Sequence, residues 1–238
     1  KGVSIRSIDL VGGASSGSYS GHATAVASLL AGAGDIMGVA PGVEIFDLRV
    51  LDASGTGDSF TLASAILRAA DMGAQIISLS LGTYGDSGLV RDAINYALGR
   101  NIAIVAAAGN DGFSNLTYPA RYPGVIAVGS IDATGIAAPF SNTGKTLGIV
   151  APGTSITAAW LNDGSINFSG TSASVPFVSG AIAYILAEQR YLSATAAASL
   201  VLQNANDAGP PGNDPSYGGG MLDLGRLSER QTPGIHDL

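Results

Sequence analysis

Seven residues in the middle of the chain, Asn101-Ile102-Ala103-Ile104-Val105-Ala106-Ala107, carry no polar side chain after the first. A strand with one face in water alternates apolar and polar positions, so a near-continuous apolar strand must be covered on both faces. That selects a parallel sheet between helices. The surrounding text agrees. Val3 to Ile8 alternates like a half-buried strand, and Glu44 to Leu51 and Gln75 to Ser80 read as further strands. Phe60 to Met72 places Leu62, Ile66, Leu67 and Ala70 at helical spacing with Gly73 as the stop, and Leu89 to Leu98 is a second helix. Val125 to Val128 and Leu147 to Val150 follow as strands. The expected fold is α/β, a three-layer sandwich with a mainly parallel central sheet and helices on both faces.

Composition narrows the function. With 238 residues, 46% of them hydrophobic, the chain can bury one large core. Eighteen carboxylates against 11 Lys and Arg argue against a nucleic-acid surface, and no apolar run approaches the length that spans a bilayer. Cysteine is absent, which excludes thiolate zinc sites, cysteine nucleophiles and disulfides. Packing or bound ions must then supply stability, as suits a secreted, bacterial-type protein.

Three stretches could carry chemistry. Gly170-Thr171-Ser172 runs directly into the apolar segment from Ala173 to Leu186. Ser172 therefore stands at a helix N-terminus, where unpaired N–H groups favour developing negative charge. It can be a nucleophile or merely a cap. Pro176 fits if it falls in the first turn, where its missing N–H costs little. Of the two histidines, His236 lies in the polar tail, so His22, at the head of the helical stretch ending at Gly32, is the candidate general base. It could equally be structural. Ligands of parallel α/β folds bind beyond the carboxyl ends of strands, where Gly109-Asn110-Asp111-Gly112 sits. Asn110 could donate to an oxyanion or simply make a turn. The Gly32-Ala33-Gly34 stretch lacks the third glycine of a dinucleotide fingerprint and follows a helix, so it is set aside.

Taken together and in order, these stretches resemble the subtilisin-like serine proteases, the subtilases (peptidase family S8). The His helix resembles His22-Ala23-Thr24-Ala25-Val26-Ala27, the oxyanion stretch Ala107-Ala108-Gly109-Asn110, and the nucleophile motif Gly170-Thr171-Ser172. Gly38-Val39-Ala40-Pro41-Gly42, Tyr118-Pro119-Ala120-Arg121-Tyr122-Pro123, Phe140-Ser141-Asn142-Thr143-Gly144 and Ala151-Pro152-Gly153 are similar too. The resemblance implies a serine endopeptidase acting on polypeptides without a required cofactor, with Ser172 as nucleophile, His22 as base and Asn110 in the oxyanion hole. Ser80-Leu81-Gly82 would pair with the substrate backbone, and Ala107-Ala108-Gly109 would wall the P1 pocket. Thr117 would shorten that pocket and Asp111 would stand at its rim. The peptidase domain is expected over 1–227, closing with Gly218 to Leu224, with 228–238 a tail.

The departures matter as much. No Asp-Ser/Thr-Gly turn is visible ahead of His22. The triad acid is expected on a strand upstream of Lys1, which could be a partner in the form of a cleaved N-terminal fragment; Asp9 is the alternative. A catalytically impaired pseudoprotease that binds peptides or partners is the second reading. Ala23 and Ser174 replace the family's usual glycine and alanine. The short Gly32 to Gly38 connection, with Asp35 its one carboxylate, implies a lost calcium site. The Tyr118–Tyr122 loop resembles a structural cation site, or is an ordered turn with no ion.

Overall fold

The computed structural model describes residues 3–12, 21–52 and 54–229. Lys1, most of the Gly/Ser-rich loop and the tail with His236 lie outside the described residues. The elements in order are β1 (Ser4–Asp9), α1 (Gly21–Ala31), β2 (Glu44–Arg49), α2 (Ser59–Asp71), β3 (Ile76–Leu79), α3 (Gly88–Leu98), β4 (Ala103–Ala107), β5 (Ile126–Ile131) and β6 (Leu147–Pro152). After them come β7 (Ile156–Ala159), β8 (Ser165–Phe168), α4 (Thr171–Glu188), α5 (Ala194–Gln203) and α6 (Leu224–Glu229).

β3, β4, β5 and β6 form a parallel sheet in that order, with Ile76 opposite Ala103 and Val105 opposite Ile126. All five residues of β4 are buried, as its unbroken apolar run requires. The run's side chains divide between two cores. Ile104 and Ala106 pack with Ile66 of α2 and Ile94 of α3 on one face. Val105 and Ala107 pack with Val178 and Ile182 of α4 and Val201 of α5 on the other. This is the expected three-layer arrangement, and the second core extends to Leu227.

Two expectations need correction. The sheet is not continuous: β1 pairs in parallel only with β2, as a separate two-stranded sheet. β1 is also not half-buried. Five of its six residues are exposed and only Ile8 is partly covered, because its one sheet neighbour is β2. The alternation in Val3 to Ile8 marks the strand correctly and overstates its burial. The antiparallel β7–β8 hairpin and helices α5 and α6 went unread in the sequence, since their segments are short or uniformly small-residued. The hairpin matters for α1. Ala158 of β7 packs with Ala25 and Leu29 of α1 and Ala173 of α4, and Ser28 Oγ accepts from Ala159 N at 3.0 Å. A side chain at Gly21 would run into the indole of Trp160. The start of α1 is thereby pressed against the end of β7.

Ser174, the departure from the usual alanine, lies wholly buried against the sheet. Its Oγ is 2.9 Å from Ser130 Oγ and donates to Ala151 O at 3.1 Å, so the added hydroxyl is satisfied. Replacing a buried, bonded hydroxyl leaves its partners unsatisfied and costs about 1–3 kcal/mol. Ser174→Ala should therefore lower the urea midpoint without changing the slope, although alanine is the family's usual residue at this position.

Candidate active site

The site is built where α4 meets the carboxyl ends of β3 and β4. Gly170 precedes α4 with φ 139°, in the region that favours glycine, and a Cβ there would meet Asn110 Nδ2 at 3.3 Å. Ser172 is the second residue of the helix and half-buried. Pro176 falls in the second turn and not in the first, so its missing N–H does remove a helix bond: the one to Ser172 O. The structure replaces it. Ser80 Oγ donates to Ser172 O at 3.0 Å, and Ser172 Oγ donates back to Ser80 O at 3.2 Å. The candidate nucleophile is thus tied on both its main chain and its side chain to the residue that follows β3.

Asn110 follows the end of β4 beyond Gly109 and is exposed. Its Oδ1 accepts from Thr171 N at 2.8 Å and from Thr171 Oγ1 at 2.9 Å. Thr171 Oγ1 in turn accepts from Gly109 N at 3.3 Å. With the carbonyl end of the amide fixed, its NH₂ is left to donate elsewhere. The site accordingly has a hydroxyl and a side-chain amide oriented from adjoining residues of one helix N-terminus.

His22 occupies the second position of α1 and is half-buried, its ring edge-on to Phe168 at 5.4 Å and 89°. Ala25, one turn on, shares a cluster with Ala173, the neighbour of Ser172. The two helix starts are therefore held side by side, and Phe168 belongs to the same cluster. Burial lowers the His22 pKa from its ordinary 6.5. Asp9, the acid alternative, is engaged elsewhere: Oδ2 pairs with Arg49 at 3.0 Å and Oδ1 accepts from Val11 N at 3.0 Å.

Ser80, Leu81 and Gly82 extend past β3 and become more exposed along the way. Beside them Ala107 and Ala108 are buried and Gly109 is half-buried. Thr117 closes the space between the two segments. It is 5% exposed, donates to Ala107 O at 3.1 Å, and its Cγ2 would lie 2.9 Å from a Cβ on Gly109. Asp111 stands at the rim with its carboxylate already accepting from Tyr84 Oη at 2.6 Å. Asn142, fully buried, donates to Tyr84 Oη at 2.8 Å and accepts from Asp111 N at 3.0 Å. Tyr84, Asn142 and the reciprocal Ser80 bonds were not read in the sequence. Phe140-Ser141-Asn142 was noticed, but nothing local says that a buried amide pins a loop 31 residues away.

The Tyr118–Tyr122 loop offers a cation little. Its carbonyls at Thr117, Tyr118 and Pro119 accept from Arg121, Thr83 and Tyr122, and the Arg121 guanidinium lies 5.5 Å from the Tyr118 ring. No cluster of three or more His, Asp or Glu that could hold a metal occurs among the described residues.

The profile of the subtilase family matches residues 9–220. The chain belongs to the subtilase family. Subtilisin DY of Bacillus licheniformis is 36% identical over 239 residues, covering 94% of this chain and 86% of its own length. A thermostable alkaline protease of Halalkalibacterium halodurans is 35% identical over 213 residues, and the chain spans 58% of that relative's length. Among solved structures, the protease domain of PatA superposes with a TM-score of 0.87 at 29% identity, covering 97% of this chain and 88% of that one. The prenylagaramide maturation protease PagA gives 0.85 at 32% identity, with 97% and 87% covered. The family is one of serine endopeptidases, whose substrates are polypeptides.

In this subtilase the lowered His22 pKa has a sign that can be tested. A ring that resists protonation when folded binds its proton more readily when unfolded, so stability is full above about pH 6.5 and falls as pH drops through the lowered value. In a His236→Gln background, the His22 ring signals in an NMR titration should reach half-protonation below 6.5, with thermal stability declining over the same acid range.

Proposed function

We propose that Ser172 attacks the scissile carbonyl, that His22 accepts its proton and later returns it to the leaving amine, and that Asn110 and the Ser172 N–H hold the oxyanion. The observation that carries this reading is the fixed pair at the start of α4: Ser172 Oγ bonded to Ser80 O, and the Asn110 amide locked by Thr171. At rest the Oγ proton lies on a main-chain carbonyl. Turning that O–H toward His22 trades one hydrogen bond for another and frees Oγ to bond to carbon, while the helix N-terminus and the Asn110 NH₂ meet the charge that develops on oxygen. Neutral imidazole, favoured by the burial of His22, is the form that can take the proton.

Substrate would lie along Ser80 to Gly82 as an added strand, since the main chain of Leu81 and Gly82 has no ladder partner among the described residues. Thr117 blocks the depth of the space between that segment and Ala107 to Gly109, so small P1 side chains are favoured. Attraction of basic P1 residues by Asp111 is weakened by the Tyr84 bond. Secretion accompanies this reading, and the expected domain boundary at 227 falls inside α6, which runs to Glu229. The pseudoprotease alternative has no observation in its favour.

A fluorophosphonate should label Ser172, and Ser172→Ala should abolish both labelling and hydrolysis. A Ser172 inert to the reagent would overturn the assignment. Asn110→Ala should lower kcat by about 10²–10³ with KM little changed, the magnitude established for removing this donor in a subtilisin. Thr117→Gly should raise kcat/KM for a phenylalanine at P1 relative to alanine by about tenfold or more in a peptide-amide assay.

A further inference from the structure

Asn110 is exposed and lies in a loop between two left-handed glycines, Gly109 at φ 111° and Gly112 at φ 65°. Glycines loosen a loop, yet a donor to an oxyanion works only if it is in place before the charge develops. The side chain of Asn110 is held at one end by Thr171. Its main chain must be held by something else.

One residue does this. Peptide groups are planar, so the setting of Asn110 is fixed by the two planes that flank it, one containing Gly109 O and the other Asp111 N. Asn142 bonds both. Its main-chain N–H donates to Gly109 O at 3.0 Å, and its Oδ1 accepts from Asp111 N at 3.0 Å. The same Oδ1 accepts from Phe113 N at 3.0 Å, while Nδ2 donates to Asn115 O at 3.0 Å and to Tyr84 Oη at 2.8 Å. Both acceptor sites and both donors of the amide are used, and turning it over would set N–H against N–H. Tyr84 Oη is free to accept there because it spends its own proton on Asp111 Oδ2, at 2.6 Å. Asn142 is wholly buried, and a side chain at Gly109 would take the place of its Nδ2. A buried, fully satisfied network has one arrangement and is rigid.

We propose that Asn142 is the positioning residue of the oxyanion hole: it holds the main chain of Asn110 so that the amide locked by Thr171 faces the reacting carbonyl, and Tyr84 fixes the Asn142 amide in turn. The inference rests on the role given to Asn110 above. Tyr84 follows the segment Ser80 to Gly82, so the donor is referenced to the same stretch of chain that is proposed to receive substrate. A residue that acts only through Asn110 has nothing left to act on once that amide is removed. One that merely stabilises the fold or shapes the P1 cleft costs as much with Asn110 absent as present.

The test measures kcat and KM on a peptide amide for Asn142→Ser and Tyr84→Phe, each alone and combined with Asn110→Ala. Asn142→Ser should lower kcat by about tenfold or more, short of the loss of about 10²–10³ expected for Asn110→Ala, with KM within about twofold. In the Asn110→Ala background the same substitution should change kcat by less than about twofold. Tyr84→Phe should follow the same pattern with a smaller loss, about two- to fivefold, and it decides the question if Asn142→Ser does not fold. An undiminished kcat, an equal loss in both backgrounds, or a raised KM at unchanged kcat overturns the positioning role and leaves Asn110 as the donor. An undiminished kcat in Asn110→Ala alone overturns that donor and this inference together.

Discussion

The geometry of the site depends on one missing hydrogen. Because Pro176 has no N–H, Ser172 O is released from the helix ladder, and Ser80 Oγ occupies it. The return bond from Ser172 Oγ to Ser80 O closes a two-point clasp between α4 and the end of β3. A helix start can fray, since its first N–H groups lack internal partners. Here the start is fixed to the sheet by Ser80 and to the loop after β4 by Asn110 and Thr171. The hydroxyl and the amide are consequently positioned by main-chain geometry and not by their own rotamer preferences.

The same sheet that anchors Ser172 has β3 as its edge, with β1 and β2 in a separate sheet. Within β3 to β6 each strand satisfies its neighbours and is covered above and below. β1 and β2 stand apart with a mostly exposed outer strand and two interstrand ion pairs, Arg6 with Glu44 and Asp9 with Arg49. The less exposed of the two, Asp9 with Arg49, contributes at most about 1 kcal/mol. Stability should therefore be uneven, with β1 and β2 opening before the four-stranded core.

How much could be read beforehand follows from the kind of signal each residue leaves. The apolar run of β4 and the spacing of Leu62 and Ile66 in α2 announce burial directly, and both elements stand where expected. His22, Asn110 and Ser172 stand out in the sequence because each sits at an element end with a recognisable neighbour. Ser80's hydroxyl, Tyr84 and Asn142 act across 92, 27 and 31 residues of chain, and no local pattern encodes a partner that distant. The break in the sheet was hidden for a related reason. β2 and β3 each have a strand's composition, and composition does not say which strands are neighbours. The helix start lies within one residue of the expected Ser172, but Pro176 is far enough into α4 for its missing N–H to free Ser172 O, and the Ser80 hydroxyl that takes that carbonyl comes from a distant strand end.

The packing of Gly21 against Trp160 has a practical corollary. Trp160 is the chain's single tryptophan, and its indole covers the first residue of the helix that presents His22. Intrinsic fluorescence of this protein therefore comes from one fluorophore placed beside the imidazole-bearing segment. Any shift of that segment relative to the β7–β8 hairpin will register as a change in emission, giving an optical gauge of the candidate site that needs no label.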